Sequence, residues 1–380
     1  MLPRRALLAL AFAARPATLR AQSGNTALGA QPTAGRVLAF PRDHGAHGEF
    51  GIEWWYATGW LQRADPPDAA DAAPAWGFQL TFFRSRTGLA EKIDSRFAAR
   101  QLLFAHAALS DVGARRLLHA ERLARWNGDV RAPRASAATA DTRVHIGDWH
   151  LARSATERGS RYEAQLGDDA AGFAFDLALS TTQPLLLQGD GGFSRKGPAP
   201  DNASHYYSQV QLAVRGGLSL PSRERVAVRG RAWLDHEWSS SLLPEGAVGW
   251  DWIGINLDDG AALTAFRLRD AAGAAVWSGG SYRTADGTQR SFATGQVVFE
   301  ALQSWTSPAT RATYPVRWRL RCPAGDFDVQ AIFDAQELDG RGSTGSVYWE
   351  GLSSLRRAED GTRVGWGYLE MTGYAAPLRL

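Results

Sequence analysis

Residues 230–260 read G-R-A-W-L-D-H-E-W-S-S-S-L-L-P-E-G-A-V-G-W-D-W-I-G-I-N-L-D-D-G. The segment brings carboxyl groups, an imidazole and indoles close together: Asp235, Glu237, Asp251, His236, Trp233, Trp238, Trp250 and Trp252. An apolar wall raises the pKa of a neighbouring carboxyl group, because burial disfavours the charged form. The segment therefore indicates either a functional site or the lining of a large apolar cavity.

Short runs of alternating apolar and polar residues dominate the rest of the chain, including W-W-Y-A-T-G-W-L at 54–61, F-A-F-D-L-A-L at 173–179 and P-V-R-W-R-L-R at 315–321. Turn-forming residues separate them, for example at 167–169, 258–260 and 286–287. This spacing is typical of antiparallel hairpins, so we predict an almost all-β protein. The segments 91–101 and 334–338 are each expected to form a turn or a short helix.

Two segments interrupt the strand pattern. Residues 215–226 read R-G-G-L-S-L-P-S-R-E-R-V, which is typical of a connection between two units, and we place a division near residue 220. The expected units are residues 36–220 and 221–380, each an antiparallel β-barrel or sandwich packed against the other. Residues 62–76, which are rich in Ala, Pro and Asp, predict an exposed hairpin insertion.

The first residues predict export. Arg4 and Arg5 precede an apolar run at 6–14, and small residues lead to a plausible cleavage after Ala21. This is the pattern of a secretory signal, and the paired arginines also permit the twin-arginine route. We therefore expect residues 1–21 to be a signal peptide and the mature protein to be periplasmic or secreted.

Composition limits the class of partner. The 380-residue chain is 44% hydrophobic and has a formal net charge of +3. Its lysines are Lys92 and Lys196, and no basic run is interleaved with aromatic residues, so we expect no nucleic-acid partner. The single cysteine, Cys322, lies in an alternating stretch and is expected to be a structural thiol rather than a nucleophile.

Metal and serine-hydrolase signatures are absent from the sequence. The histidines are scattered, and the one close pair, His44 and His47, is expected to lie on a loop rather than to bind a metal. No G-x-S-x-G motif occurs, and Ser239, Ser240 and Ser241 are more typical of a turn than of a nucleophile. We therefore predict no metal and give a hydrolase reaction little support.

The D-H-E-W motif at 235–238 divides between two faces if it forms a strand. Asp235 and Glu237 then share one face, whereas His236 and Trp238 share the other. One interpretation is structural: Asp235 or Glu237 pairs with an arginine such as Arg231 or Arg267 and only joins the two domains. The other is that Asp235, Glu237 or Asp251 is a protonated acid inside an aromatic cavity.

Seven motifs, in order, carry a family resemblance. They are H-G-A-H-G-E-F-G-I-E-W-W-Y-A-T-G-W-L at 44–61, G-F-Q-L-T-F-F-R at 77–84, L-F-A-H-A-A-L-S-D at 103–111, H-Y-Y-S at 205–208, the segment 230–260, Y-W-E-G at 348–351 and G-W-G-Y-L-E-M-T-G-Y at 365–374. From about residue 40 onward the chain resembles the carotenoid 1,2-hydratase/AttH family of lipocalin-like proteins. The resemblance implies two lipocalin-like β domains, and it places His236 and Trp238 at site positions.

The resemblance also implies a chemistry that needs no cofactor. A hydratase of this family protonates an alkene with a buried acid, stabilises the carbocation against aromatic faces, and then adds water. The hydratase branch carries a Tyr and an acid a little downstream of D-H-x-W. Here the corresponding strand reads A-L-T-A-F-R-L-R-D, with Phe266 and no carboxyl group before Asp270.

Three functions remain open at this point. The first is a lyase-type enzyme such as a cofactor-independent hydro-lyase. The second is a non-catalytic carrier of a polyene, isoprenoid or lipid, which would associate with an inner-membrane ABC-type permease. The third is a structural module whose tryptophans only fill the space between two β domains. Our leading prediction is an exported protein that binds an apolar small molecule. The catalytic candidates are Asp235, His236, Glu237 and Asp251. The expected ligand wall is Glu53, Trp54, Trp55, Tyr56, His106, Tyr206, Trp238, Trp250 and Trp252.

Overall fold

The structure, a computed structural model, describes residues 29–65, 73–95, 97–220 and 225–378. In this part of the chain the regular structure is β, apart from one 3-10 turn at Arg42–His44. The all-β prediction is therefore confirmed. The described parts of 91–101, and residues 334–338, form turns, bends and strand ends rather than short helices. No helix in the described ranges is long and apolar enough to cross a membrane.

The described residues form two antiparallel sheets. The first contains β1 Ile52–Arg63, β2 Trp76–Arg86, β3 Gln101–Asp111, β4 Arg116–Trp126, β5 Ala135–Ala137, β6 Arg143–Ile146, β7 Trp149–Thr156, β8 Gly159–Asp168, β9 Phe173–Ser180, β10 Leu186–Leu187, β11 Phe193–Arg195, β12 Ala203–Ser219 and β13 Val226–Ser239. Its order is β4-β3-β2-β1-β13-β12-β9-β8-β7-β6-β5, and β10 and β11 also pair with β12.

The second sheet is built from the remaining strands. They are β14 Gly249–Leu257, β15 Ala262–Arg269, β16 Ala275–Arg283, β17 Gln289–Phe292, β18 Val298–Thr306, β19 Thr313–Cys322, β20 Gly325–Ala331, β21 Glu337–Gly340, β22 Ser346–Arg357 and β23 Arg363–Met371. The order is β17-β16-β15-β14-β23-β22-β20-β19-β18, with β21 on β22. Each sheet curls around its own core.

Alternation explains why these segments become strands. In β8 every second residue is buried, so Tyr162, Ala164 and Leu166 enter the first core while the residues between them face outward. Burying one face in this way stabilises each strand by roughly 25 cal/mol for each Å² of apolar surface removed from water. The same period of two sets which side chains of β1 and β13 face the second sheet.

The chain passes from one sheet to the other between Ser239 and Gly249. This is later than the division that the sequence suggested near residue 220. The stretch 215–226 belongs mostly to β12 and β13, which pair with each other from Leu218↔Val226 inward. Gly216 and Gly217 therefore lie within β12, and strands β12 and β13 are neighbours in the first sheet. Residues 221–224, the predicted signal peptide at 1–21 and part of the predicted insertion, 66–72, lie outside the described residues.

The two sheets pack directly on each other through a third apolar cluster. It combines Tyr56, Leu186, Val210 and Trp233 with Trp252, Ala262, Phe266, Leu268, Leu352 and Tyr368. Gly77 permits the close approach, because a Cβ there would lie 2.5 Å from the Tyr368 hydroxyl and 2.9 Å from Leu352 Cβ. The seam is thus tightly packed at one end, and a cavity opens beside it.

Candidate functional site

The D-H-E-W motif lies on β13 and is divided between two environments. Asp235 and Glu237 face the second sheet and line a cavity between the sheets. Leu234, which precedes Asp235, belongs to the core of the first barrel. His236 and Trp238 share that inner side, as the alternation of a strand requires. The acids and the imidazole of this motif therefore serve different parts of the molecule.

The cavity between the sheets has a volume of about 170 Å³. Its lining is mainly aromatic and carboxylic, with a few hydroxyl groups. The principal lining residues are Trp54, Tyr56, Phe83, Phe104, His106, Lys196, Tyr206, Asp235, Glu237, Trp250, Trp252, Phe266, Tyr348, Glu350 and Glu370. An apolar pocket with a few convergent polar groups is the usual form of a small-molecule site.

Two cross-strand rows form the wall on the first sheet. One row is Phe83, Trp54, Glu237 and Tyr206, and the next is Thr81, Tyr56, Asp235 and Ser208. Directly opposed residues in a sheet have Cβ atoms about 5 Å apart, so each acid lies between two aromatic or hydroxyl side chains. The E-W-W-Y and D-H-E-W segments pair in register, with Trp54 opposite Glu237 and Tyr56 opposite Asp235.

The opposite wall holds two acids that sequence analysis did not select. The row on the second sheet is Phe266, Trp252, Glu370 and Glu350. Both acids occur in motifs that carried the family resemblance, Y-W-E-G and Y-L-E-M. They show the same signal as D-H-E-W, a carboxyl group among aromatic residues, but the sequence does not reveal that strands β13 and β23 face each other.

Asp235 is held by three donors. It accepts hydrogen bonds from the Tyr206 hydroxyl at 2.6 Å, the Ser208 hydroxyl at 2.5 Å and the Trp233 indole at 2.6 Å. Burial raises the pKa of Asp235 to about 7, against the effect of these donors, and the charge of Glu237 adds to the increase. At neutral pH this carboxyl group therefore exists in both protonation states.

Glu237 has a cation as its partner. Lys196 Nζ lies 2.9 Å from Glu237 Oε1, and the Ser204 hydroxyl donates to the same oxygen. The ammonium group also lies 4.8 Å from the ring centroid of Tyr206 and 4.6 Å from that of Phe266. Glu237 is therefore the acid of the cavity that is paired with a cation.

Glu350 and Glu370 face each other across β22 and β23. Glu350 is 2% exposed, and in the described chain its Oε1 has no hydrogen-bond partner. Burial raises the pKa of Glu350 well above its usual range, and the charge of Glu370 adds to this effect. Burial also raises the pKa of Glu370 to about 7, and the charges of Asp235 and Glu237 contribute. Two negative charges on directly paired residues repel each other, so the pair holds a proton at neutral pH.

His106 lines the cavity as a neutral imidazole. Its Nδ1 lies 2.6 Å from the Tyr348 hydroxyl, and its Nε2 lies 2.8 Å from the Ser343 hydroxyl. Burial lowers the pKa of His106 to about 4, with a contribution from His119. His106 therefore connects the two sheets through hydrogen bonds and carries no charge at neutral pH.

Five predicted site residues do not reach this cavity: Glu53, Trp55, His236, Trp238 and Asp251. Four of them form a separate cluster inside the first barrel. Glu53 Oε1 lies 2.8 Å from His47 Nδ1 and 2.9 Å from His236 Nε2. Trp238 stacks on His47 and Trp55 stacks on His236, with ring centroids 3.8 Å and 4.8 Å apart.

Charges in this inner cluster are balanced by the chain itself. Arg84 Nε lies 2.9 Å from Glu53 Oε2, and His47 Nε2 lies 2.9 Å from Asp43 Oδ1. Burial lowers the pKa of His47, but Glu53 and Asp43 outweigh burial and raise it. Burial lowers the pKa of His236 to about 4. Ligand atoms of His47, Glu53 and His236 lie within 4.8 Å of one another. Because the imidazolium and guanidinium already neutralise both carboxylates, we interpret the cluster as a structural brace.

Asp251 lies on the far side of the second sheet. It bonds to Arg267 Nε at 2.6 Å and accepts a hydrogen bond from the Tyr374 hydroxyl at 2.8 Å. Its strand neighbours Trp250 and Trp252 face the cavity instead. The structural interpretation, in which Asp235 or Glu237 pairs with Arg231 or Arg267, is therefore wrong. Arg267 pairs with Asp251, whereas hydroxyl and indole donors hold Asp235 and Lys196 pairs with Glu237.

Comparisons with known proteins agree with this architecture. The chain matches the model of the AttH-like family over residues 31–374. A crystal structure from Nitrosomonas europaea, described as an AttH protein, is 42% identical, with a TM-score of 0.80 over 91% of this chain and 99% of that one. No curated protein matches the sequence.

Two more distant structures share the fold. Kievitone hydratase from Nectria haematococca is 14% identical, with a TM-score of 0.64 over 91% of this chain and 98% of that one. CghA in complex with Sch210972 is 13% identical, with a TM-score of 0.51 over 85% and 88% of the respective chains. At these identities the likeness concerns the fold alone, and it confirms the predicted pair of lipocalin-like β domains.

Proposed function

The chain belongs to the AttH-like family, and we propose that it binds an apolar, unsaturated ligand in the cavity and adds water to a C=C bond by acid catalysis. The observation that carries this proposal is the set of carboxyl groups without a cationic partner, Asp235, Glu350 and Glu370, that faces an aromatic wall. A protonated acid in an apolar site is the group that an isolated alkene requires, because such an alkene is a weak base.

The cavity volume limits what reacts there. An apolar cavity of roughly 150 Å³ admits a benzene ring, so about 170 Å³ accommodates one ring or the branched end of an isoprenoid chain. The remainder of a longer ligand extends out of the cavity. The substrate class that fits is therefore an alkene at the end of an isoprenoid chain or beside a ring.

Proton donation is assigned to the Glu350–Glu370 pair. Burial raises the pKa of Glu370 to about 7, which is close to the working pH that suits a general acid. The donor transfers its proton to one alkene carbon, and the C=C electron pair forms the new C–H bond. The neighbouring carbon becomes a carbocation, and Glu370 becomes a carboxylate.

Stabilisation of the carbocation is assigned to the aromatic wall. Trp252 is the cross-strand neighbour of Glu370, and Trp250 lies two residues away on the same face. An indole face interacts with a desolvated cation by about 2 kcal/mol or more. These residues touch the reacting atoms in the proposal and lower the barrier electrostatically.

Water addition completes the reaction with Asp235 as the base. The oxygen of a water molecule attacks the carbocation, and its surplus proton passes to the ionised form of Asp235. The proton then returns to the Glu350–Glu370 pair through water in the cavity. The net change is one water molecule added across one C=C bond, with no redox step.

The test starts from protein purified from its native host. Solvent extraction and mass spectrometry identify any retained ligand, which is then incubated with the protein in deuterium oxide. We expect deuterium on the carbon adjacent to the one that bears the new hydroxyl group. Glu370→Gln should reduce turnover at least about 100-fold, the usual contribution of a general acid, whereas Glu300→Gln, an exposed strand position, should not. Full turnover in both Glu370→Gln and Asp235→Asn would contradict the assignment.

A non-catalytic carrier is the second candidate. The three hydrogen bonds to Asp235 favour it, because they satisfy that carboxylate without any substrate. In this case the retained ligand is recovered unchanged, and Glu370→Gln alters neither its structure nor its amount. Such a carrier would deliver its ligand to an inner-membrane permease.

A further inference from the structure

Lys196 shows how this cavity binds a positive charge. Its ammonium group is held by the Glu237 carboxylate at 2.9 Å and lies within 5 Å of two aromatic ring centroids. An acid combined with aromatic faces is the arrangement that binds organic ammonium groups, because the ring quadrupole attracts the cation. The chain therefore supplies its own example of the interaction.

The neighbouring part of the cavity repeats this combination. Glu370 lies opposite Trp252 and beside Glu350, and Trp250 lines the same space. In the same way Glu237 lies opposite Tyr206 and holds the ammonium group that faces Phe266. Within the described residues, Lys196 is the one Lys or Arg side chain that lines the cavity. Its ammonium group is paired with Glu237, so Glu350 and Glu370 have no such partner.

Buried polar atoms point into the same space. In the described part of the chain, Glu350 Oε1 and the Tyr56 hydroxyl make no hydrogen bond of good geometry, although Tyr56 lies close enough to Glu350 to lower the pKa of that carboxyl group, and these side chains are 2% and 7% exposed. A buried carboxylate without a cationic partner is costly, so it either keeps a proton or receives a cation. A cationic ligand next to Glu350 would replace the proton and offset the repulsion between the two carboxylates.

We propose that this cavity selects an organic cation, a tertiary or quaternary ammonium group on an apolar body, seated between the Glu350–Glu370 pair and the indoles of Trp250 and Trp252. The inference rests on the proposed function, since the ammonium nitrogen occupies the place where hydration develops its carbocation. Such a ligand competes with the alkene, and its binding releases protons from the acid pair.

The probe is benzyltrimethylammonium, and its neutral control is neopentylbenzene. The two have the same shape, but a carbon atom replaces the nitrogen in the control. Binding is measured by Trp fluorescence and by calorimetry in two buffers of different ionisation enthalpy, which counts released protons. We expect the cation to bind about tenfold or more tightly than the control. Because the probe has no titratable proton, any protons released come from the protein.

Three variants locate the interaction. Glu350→Gln and Glu370→Gln should each weaken binding of the cation about tenfold and reduce proton release, with little effect on neopentylbenzene. Lys196→Met should strengthen binding, because it removes the cation already in the cavity. Glu300→Gln should change neither affinity. Thermal unfolding of each variant verifies that the fold is retained. The Lys196 variant tests the inference by a gain of affinity for the cation rather than a loss.

The outcomes separate this inference from the proposed function. Preferential cation binding with proton release, but without hydration of any alkene, supports the cation site and removes the hydratase proposal. If the protein hydrates an alkene but binds the cation and its neutral control with equal affinity, the cation site is overturned and the hydratase proposal stands. Weaker binding of the cation in Lys196→Met also overturns it.

Discussion

Glu350 and Glu370 are direct cross-strand partners on β22 and β23, and both side chains line the same cavity. Like charges placed opposite each other destabilise a sheet. A sheet that needed only stability would place an apolar pair or an ion pair at these positions. The acid pair is therefore expected to lower the stability of the fold, and this gives the first prediction.

Replacing Glu370 by Gln should stabilise the protein at alkaline pH. Burial raises the pKa of Glu370 to about 7 in the folded state, so the folded protein binds the proton more tightly than the unfolded chain does. Stability therefore falls as the pH rises from the unfolded pKa of 4.5 through about 7. At pH 8 we expect Glu370→Gln to be more stable than the natural sequence by about 2 kcal/mol. Urea unfolding at pH 4 and pH 8 measures this, and a variant that is less stable at both pH values would contradict it.

Acidic pH should destabilise the inner cluster around Glu53, whereas alkaline pH destabilises the region around Glu370. Although burial opposes it, Arg84 and His47 hold the pKa of Glu53 well below its usual range, and His47 lowers that of Asp43. A depressed folded pKa contributes stability above the unfolded pKa, and that contribution is lost as the pH falls below about 4. The unfolding midpoint in urea should therefore decrease steeply below pH 4.

Glu53→Gln should destabilise the fold at neutral pH. It leaves Arg84 buried without its carboxylate partner and leaves His47 with Asp43 alone, which costs about 3–5 kcal/mol. Chemical denaturation measures the loss, and Glu300→Gln, an exposed position, provides the control. A loss no larger than that of the control would show that the cluster does not brace the barrel.

Gly77→Ala should weaken the contact between the sheets. The added Cβ would lie 2.5 Å from the Tyr368 hydroxyl, and overpacking of this kind costs about 1–3 kcal/mol. Gly113→Ala is the matched control, because its Cβ would meet no atom closer than 3.6 Å. Equal unfolding free energies for the two variants would show that the contact between the sheets tolerates the added methyl group.

Protein recovered from the periplasm of an exporting host should begin near Gln22. The basis is the paired Arg4 and Arg5, the apolar run after them and the small residue Ala21. Amino-terminal sequencing or intact-mass measurement gives the answer. A chain that retains Met1 after export would mean that the segment is not a cleaved signal.

The alternation of apolar and polar residues predicts much of the fold, whereas contacts between the sheets decide which residues form the candidate site. Alternation predicts the strands and separates Asp235 and Glu237 from His236 and Trp238. It does not say which face meets the second sheet, so the sequence-based site combined both faces. Asp251 was included because it lies near Asp235 in sequence, although the next strand turns it toward Arg267. Glu350 was not selected, because only the docking of two sheets brings it near Asp235.

The order of the strands has a consequence for how the protein is made. One wall of the cavity comes from β1 and β13, and the other comes from β14, β22 and β23. During synthesis from the amino terminus, the first wall is complete long before Glu370 leaves the ribosome. The nascent chain therefore has no binding site until the final described strand has joined its sheet, and ligand capture reports that folding has finished.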